Sequence, residues 1–410
     1  NNKLNRARSV GKVVNLENTI QQDPTIQGSI GIAHTRWATH GKPSTSNAHP
    51  HICNNTVSIV HNGIIENFLE LKAEQQKQGY NFTSDTDTEV IAHAIHKTLK
   101  TSDTLLEATQ KAIQTFEGAY GVGVISPSHP GHIIAARSGS PLVIGISNKG
   151  NFIASDQLAL LDITKEFIFL EEDDIADITF DSVTIYDVNG NHVNREIKTS
   201  KLKSGQISKG DYAHYMLKEI FEQPQAIRDT LESRITKDTV LTSAFGHKAK
   251  DIFTNTKHIQ IIACGTSYNA GLVAKYWLED IAKIPTHIEV ASEYRYRNPI
   301  ILDGTLFIAI SQSGETADTL EALKTVKKCD QKIHTLTICN SAESSLTRES
   351  ELTFLTHAGP EIGVASTKAF TTQLVSLALL AVAIGRCHKQ VSKEQEAKIV
   401  DGLNRLPGLI

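Results

Sequence analysis

The nine residues SQSGETADT, 311–319, follow directly on the apolar run TLFIAI, 305–310. A strand apolar at nearly every position belongs in a sheet covered on both faces, the usual setting of parallel strands. Where this one ends, three hydroxyls, an amide and a glycine crowd into the next six residues. In an open parallel sheet, ligands bind beyond the carboxyl ends of the strands, where the following helices begin. Helix N-termini present free N–H groups and partial positive charge, so they attract anions. Hydroxyl side chains add donors there without filling the space a phosphate needs.

The pattern recurs on either side. HIQIIACGTS, 258–267, leads into YNAGLVAKYWLEDIA, and KIHTLTICNSAESS, 332–345, leads into LTRES. Thr266 and Ser267 close the first run, Ser311, Ser313 and Thr316 the second, and Ser341, Ser344 and Ser345 the third. A fourth group, Ser366, Thr367 and Lys368, precedes a long apolar helix. Gly265 and Gly314 permit close approach of the backbone. No GxGxxG and no GxxxxGK[ST] is present, which disfavours a dinucleotide or nucleoside triphosphate and leaves a small phosphorylated metabolite. The plainer alternative is that these serines and threonines are only helix caps. From about residue 252 the order is strictly strand then helix, so this half is read as an α/β doubly wound parallel sheet.

Upstream the texture differs. Between 31 and about 193, short strand-like runs (TVSIVHNG, GAYGVGVIS, GHIIAARSG, PLVIGIS, NFIASD, FIFLEEDDIADIT, SVTIYDV) alternate with turns. Helical spacing is expected over 66–78, 89–100 and 105–116. Hairpin-rich strands with a few helices imply a layered α+β domain. EEDD, 171–174, reads as a solvated turn. KTSKLKSGQISKGD, 198–211, has linker composition, and a helical pattern follows it. The expected organisation is an α+β domain over 1–200, a linker with connecting helices over 201–240, and the doubly wound domain over 241–410.

The densest chemistry of the first half is HTRWATHGKPSTSNAHPH, 34–51, with VHNGIIEN, 60–67, and SDTDTEVIAH, 84–93. The forked guanidinium of Arg36 suits a carboxylate. Asn62 and Gly63 offer a side-chain amide and an unhindered backbone N–H, the donor pair an oxyanion hole requires. Asp87 could hold an ammonium. Together these would grip an amino acid at both ends and stabilise a tetrahedral centre on its side chain, which suits glutamine. Competing local readings are a capping box from Thr86 to Glu89, a hairpin turn at Asn62-Gly63 and simple packing for Trp37. The histidines at 34, 40, 49, 51, 61 and 93 show no HExxH or cysteine–histidine spacing, so no metal is expected.

Bulk properties set outer bounds. The 410 residues are 40% hydrophobic and 21% charged, with a net charge of −4, which argues against nucleic acid as the main partner. The five cysteines are odd in number and form no CxxC pair, as expected of free thiols in a reducing cytosol. LVSLALLAVAIG, 374–385, is shorter than the roughly 20 residues a bilayer span needs and reads as a core helix, so no membrane partner is expected. The chain opens Asn1-Asn2-Lys3 and its only methionine is Met216, so a start upstream of Asn1 is expected.

HTRWATHG, NAHPH, HNGIIEN and TDTEV resemble the glutaminase domain of class II amidotransferases, which has the N-terminal-nucleophile hydrolase fold; ARSGSPLVIG and NFIASD are similar to later segments of it. ACGTS, SQSGETADT and EIGVASTKAFTTQ resemble the sugar isomerase fold. Over essentially its whole length the chain is similar to the glutamine–fructose-6-phosphate aminotransferases, the isomerizing glucosamine-6-phosphate synthases. The resemblance implies an enzyme that takes ammonia from glutamine, passes it through an internal channel and makes glucosamine 6-phosphate from fructose 6-phosphate, the first step of amino-sugar synthesis. It implies no cofactor, a cytoplasmic location and a homodimer.

Residue by residue, the resemblance implies that Arg36, Thr39, His40, Gly63 and Asp87 bind glutamine and that Asn62 and Gly63 form the oxyanion hole. Trp37 matches the aromatic gate of the channel, and His49 a pocket position of no assigned role. Thr266, Ser267, Ser311, Gln312, Ser313 and Thr316 match sugar-phosphate contacts, with Val364 and Ser366 nearby. Two departures stand out. The family's nucleophile is an N-terminal cysteine whose own α-amine serves as base, and no cysteine stands near Asn1. The family also has a second sugar isomerase domain, carrying the ring-opening histidine, the isomerisation glutamate and the Schiff-base lysine, where this sequence stops at Ile410. The expectation is a fragment lacking both ends and catalysing neither step alone.

Overall fold

A computed structural model describes residues 3–36, 42–200 and 208–410. The chain divides into two units, Asn1–Lys203 and Ser204–Ile410.

In the first unit the helices are α1 (Val13–Gln22), α2 (Phe68–Lys77), α3 (Glu89–Leu99) and α4 (Leu105–Ile113). The strands are β1 (His51–Cys53), β2 (Val57–Ile65), β3 (Gly118–Ile125), β4 (Ile133–Ser138), β5 (Val143–Ser147), β6 (Gly150–Ala154), β7 (Glu166–Phe169), β8 (Ile175–Ile178), β9 (Val183–Tyr186), β10 (His192–Val193) and β11 (Ile197–Thr199). They form a seven-stranded sheet ordered β1-β2-β3-β4-β8-β9-β10 and a four-stranded sheet ordered β11-β7-β5-β6. The pairings are antiparallel, as the hairpin-rich sequence implies.

The alternation of side chains along a strand builds the layers. On β4, Ile134 and Ala136 pack with Val90, Ile91 and Ile95 of α3, whereas Ile133 and Ala135 pack with Ile144 of β5 and Ile168 of β7. One face of the large sheet therefore meets the helices and the other meets the small sheet. The run FIFLEEDDIADIT is two strands, β7 and β8, one in each sheet. The EEDD between them is not merely a solvated turn. Asp174 is buried and accepts from Arg195 Nε at 2.9 Å and Nη2 at 2.7 Å, which fastens the crossover.

The second unit adds α5 (Tyr215–Leu231), α6 (Ala249–Asn255), β12 (His258–Ala263), α7 (Gly265–Trp277), β13 (Thr286–Val290), α8 (Ala291–Tyr296), β14 (Thr305–Ile310), α9 (Ala317–Lys327), β15 (Ile333–Cys339), α10 (Ser345–Glu349), β16 (Leu352–Leu355), α11 (Lys368–Cys387) and α12 (Lys393–Arg405). The sheet order is β13-β12-β14-β15-β16, with every pairing parallel. Leu306, Ile308 and Ile310 of β14 face α5, α7 and α11, while Phe307 and Ala309 face α8 and α9. This two-sided burial explains the uninterrupted apolar run at 305–310. The apolar helix α11 is long enough to cross a membrane but lies largely buried in this core.

The register sets the geometry of the loops. Ala263 pairs with Ile310 and with Val290, Ile310 with Ile338, and Cys339 with Leu355. The carboxyl ends of the strands therefore finish along one edge, and the hydroxyl-bearing segments emerge side by side.

Candidate functional site

In the first unit, Asn62 and Gly63 lie within β2, opposite Gly121 and Tyr120 of β3, so the hairpin-turn alternative does not hold. Gly63 has φ +130°, and a Cβ there would sit 2.0 Å from the Ala119 carbonyl oxygen. Only glycine fits a strand crossing this close. Asn62 Oδ1 lies 2.6 Å from His34 Nε2. With the imidazole N–H donating, the Asn62 oxygen is occupied and its NH₂ group is turned the other way.

Asp87 is buried and its Oδ2 accepts the Ile65 backbone N–H at 2.9 Å. That bond brings the carboxylate beside the same end of β2, close to Asn62 and Gly63. The Thr86–Glu89 capping box does not form, because α3 begins at Glu89 and its carboxylate instead accepts from the backbone N–H groups of Thr83 and Ser84. Arg36 is half-buried, with Nη1 reaching the Lys42 carbonyl at 3.5 Å. Trp37, Thr39 and His40 lie outside the described residues.

Behind this corner stands a group of histidines that no local motif announced. His34 and His49 have ring centroids 4.0 Å apart, and His49 and His51 have theirs 5.1 Å apart. The Thr88 hydroxyl lies 3.1 Å from both His49 Nε2 and His61 Nδ1. Burial pushes the pKa of all four below the ordinary imidazole value, and the charge of Arg36 adds to the shift at His34 and His49. The imidazoles are therefore neutral hydrogen-bonding groups. Among the described residues no cluster of histidine, cysteine and carboxylates is arranged to hold a metal ion.

Cys53 sits 3.1 Å from His93 Nδ1, a spacing that resembles a nucleophilic dyad. Burial, however, raises the Cys53 thiol to about 12, so it is protonated and inert.

In the second unit the loops after β14 and β15 are stitched together. Asn340 N–H donates to the Gln312 carbonyl at 3.0 Å, and Leu346 N–H to the Gly314 carbonyl at 3.1 Å. Gly314 has φ +70°, and a Cβ there would lie 2.1 Å from Ser344 Oγ, so the two segments touch only because position 314 is bare. Within SQSGET, Ser311 Oγ accepts from Gly314 N–H at 3.0 Å and lies 2.9 Å from Thr316 Oγ1. Ser313 is exposed, and its hydroxyl oxygen accepts from Glu315 N–H at 3.1 Å. The first loop is tied instead to α11, since Gln373 Nε2 donates to Ser267 Oγ at 3.0 Å. Thr266 beside it is exposed.

The four hydroxyl groups are not equivalent, which corrects the simple count from sequence. At α10 the Ser344 side chain is a true cap, accepting from Thr347 N–H, and Glu315 Oε1 accepts from Ser345 N–H at 2.8 Å. At α11 Glu361 Oε1 accepts from Thr367 and Ala369 N–H, and Ser366 Oγ donates to Oε2 of the same carboxylate. Both of these N-termini already hold a protein anion. Lys368 is likewise engaged, its Nζ lying 2.7 Å from Glu222 Oε2, and Val364 is 82% exposed. The N-termini of α7 and α9 carry no side-chain cap. The uncapped N-termini are therefore those flanked by Thr266 and Ser267 and by Ser311, Gln312, Ser313 and Thr316.

Comparison with known proteins agrees with this division. A glutamine amidotransferase domain model matches residues 34–162, and an SIS domain model matches 252–383. The first unit thus has the N-terminal-nucleophile amidotransferase fold and the second the sugar isomerase fold. The glutamine–fructose-6-phosphate aminotransferase (isomerizing) of Pseudomonas putida is 54% identical over 407 residues, covering 99% of this chain and 66% of that protein. Its counterpart in Shewanella oneidensis is 52% identical over 410 residues, covering 100% of this chain and 67% of that protein. Among solved structures, the C-terminal domain of glucosamine-fructose-6-phosphate aminotransferase from Francisella tularensis is 51% identical over 49% of this chain and 56% of that one, with a TM-score of 0.48. The chain spans about two thirds of the length of the curated relatives it matches. It belongs to the glutamine–fructose-6-phosphate aminotransferase (isomerizing) family.

Proposed function

We propose that this chain is part of an enzyme that converts glutamine and fructose 6-phosphate to glutamate and glucosamine 6-phosphate. The observation that carries the reading is that identity above 50% runs through both units in one chain. The glutamine corner keeps Arg36, Asn62, Gly63 and Asp87, and the strand-exit edge keeps SQSGET. A cytoplasmic homodimer without a cofactor, as expected of the family, is part of the same proposal. So is the division into a glutaminase portion over 1–200, connecting helices over 201–240 and a sugar isomerase domain over 241–410.

In the glutaminase portion, Arg36 pairs with the α-carboxylate of glutamine and Asp87 with its ammonium. The family resemblance assigns Thr39 and His40 to glutamine binding and Trp37 to the ammonia gate, all three outside the described residues. As a thiolate adds to the amide carbonyl, charge gathers on the oxygen, and the Asn62 NH₂ and Gly63 N–H donate to it. Cys53 does not supply that thiolate, because it is buried and protonated. In the sugar isomerase portion, the N-termini of α7 and α9 and the hydroxyls of Thr266, Ser267, Ser311, Ser313 and Thr316 hold the phosphate. Gln312 is a further contact of the same sugar phosphate, with Val364 and Ser366 nearby.

The test is to assay the complete gene product for glucosamine 6-phosphate formation and to repeat it with Arg36→Ala. We expect wild-type turnover, and for the variant a loss of roughly 2–4 kcal/mol in glutamine kcat/KM with fructose 6-phosphate binding retained. Sugar-phosphate binding without any turnover would make the protein a sensor and refute the enzyme reading.

A further inference from the structure

We infer that Gln373, on α11, is a positioning residue for the sugar-phosphate seat: its amide holds the Ser267 hydroxyl with its proton directed at the ligand. The inference rests on the reading of the α7 and α9 N-termini as that seat.

Gln373 lies 106 residues from Ser267, and nothing near it in sequence marks it as functional. It sits among the residues of α11 that bury Val375, Leu377, Leu379 and Leu380 in the main core, and it is only 2% exposed. Its Nε2 donates to Ser267 Oγ, and its Oε1 is buried with no hydrogen-bond partner among the described residues. A buried carbonyl oxygen left unpaired costs stability, so on folding grounds alone an apolar residue would serve better here. The glutamine is therefore poorly explained as packing.

Its donated bond has a specific consequence. A hydroxyl has one proton and two lone pairs. Once Ser267 Oγ accepts from Gln373, its proton remains to donate, and no acceptor for it stands among the described residues. Ser267 lies in the first turn of α7, where the N-terminus has no side-chain cap. A ligand phosphate oxygen placed there meets backbone N–H groups and a hydroxyl already turned to donate, so little reorganisation accompanies binding. Without the amide, the Ser267 hydroxyl would be free to rotate away from that direction.

The experiment titrates the 410-residue chain and its variants with fructose 6-phosphate by calorimetry and follows the melting temperature of each without ligand. Gln373→Leu should bind roughly tenfold more weakly, the size of one hydrogen bond to a charged group, while melting no lower than wild type. Gln373→Met should behave alike, which keeps the test usable if leucine packs badly. The double variant Ser267→Ala with Gln373→Leu should bind no more weakly than Ser267→Ala alone, because the glutamine acts through the serine. Unchanged affinity in both Gln373 variants, or losses that add in the double variant, would overturn the inference while leaving the seat intact. Unchanged affinity in Ser267→Ala would instead overturn the seat itself, and the role of Gln373 with it.

Discussion

His34 Nε2 and Asn62 Oδ1 lie 2.6 Å apart, from residues 28 positions apart in sequence. With the His34 imidazole donating, the Asn62 oxygen is occupied and its NH₂ group is left with one direction. Removing the donor by Asn62→Ala should cut glutamine kcat by about 10²–10³ with KM little changed, the size found for a lost oxyanion donor. His34→Phe should give a smaller fall, roughly tenfold, because the amide remains but is no longer oriented. Steady-state glutaminase kinetics on the complete gene product decide it. A rise in KM at constant kcat would mean that these residues bind substrate without serving the transition state.

Gly63→Ala should be costly in folding before it is costly in catalysis. The added Cβ would lie 2.0 Å from the Ala119 carbonyl oxygen at a backbone angle of φ +130°. Relief requires that β2 and β3 separate, at roughly 3 kcal/mol or more. Urea denaturation of the 410-residue chain should show a lower midpoint for the transition of the first unit. An unshifted midpoint would contradict the described strand crossing.

The buried histidines make stability depend on pH. His49, His51 and His61 are held neutral, chiefly by burial, with the negative charges of Glu89 beside His51 and Asp87 beside His61 opposing the shift only in part. An unfolded chain titrates its histidines near 6.5. Below that pH the unfolded state takes up protons that the folded state refuses, so stability is complete above about 6.5 and falls as the solution is acidified. Each such histidine contributes a loss of about 1.4 kcal/mol per pH unit in that window. Denaturation midpoints at pH 7.5, 6 and 5 should decline in that order, and a flat profile would mean the imidazoles are solvated.

Replacing Ser311 and Thr316 together by alanine should weaken fructose 6-phosphate binding by roughly tenfold to a hundredfold, two hydroxyl contacts to an anion. Glutamine hydrolysis should be little affected, since these residues belong to the second unit. Parallel loss of both activities would indicate misfolding of the chain.

Several features were legible in sequence because they are local. The alternation of Ile133, Ile134, Ala135 and Ala136 follows from strand geometry, and the apolar block before Ser311 follows from burial on both faces. The helices at 66–78, 89–100 and 105–116 emerge, slightly shortened, as α2, α3 and α4. That the two halves of FIFLEEDDIADIT join different sheets was not legible, because the sequence does not say which sheet each half pairs with. Hydroxyl clusters at strand exits could be listed, but whether they were free could not.

What the sequence by itself determined is the order of elements and the chemistry gathered at each strand exit, since neighbouring residues suffice to specify both. Only the tertiary structure decided which helix N-termini stay open. Glu315 reaches Ser345 across 30 positions, Gln373 reaches Ser267 across 106, and His34 reaches Asn62 across 28. A hydrogen bond requires partners within about 3 Å in a set orientation, and for residues so distant along the chain that condition is met only once strand order and register have placed their backbones.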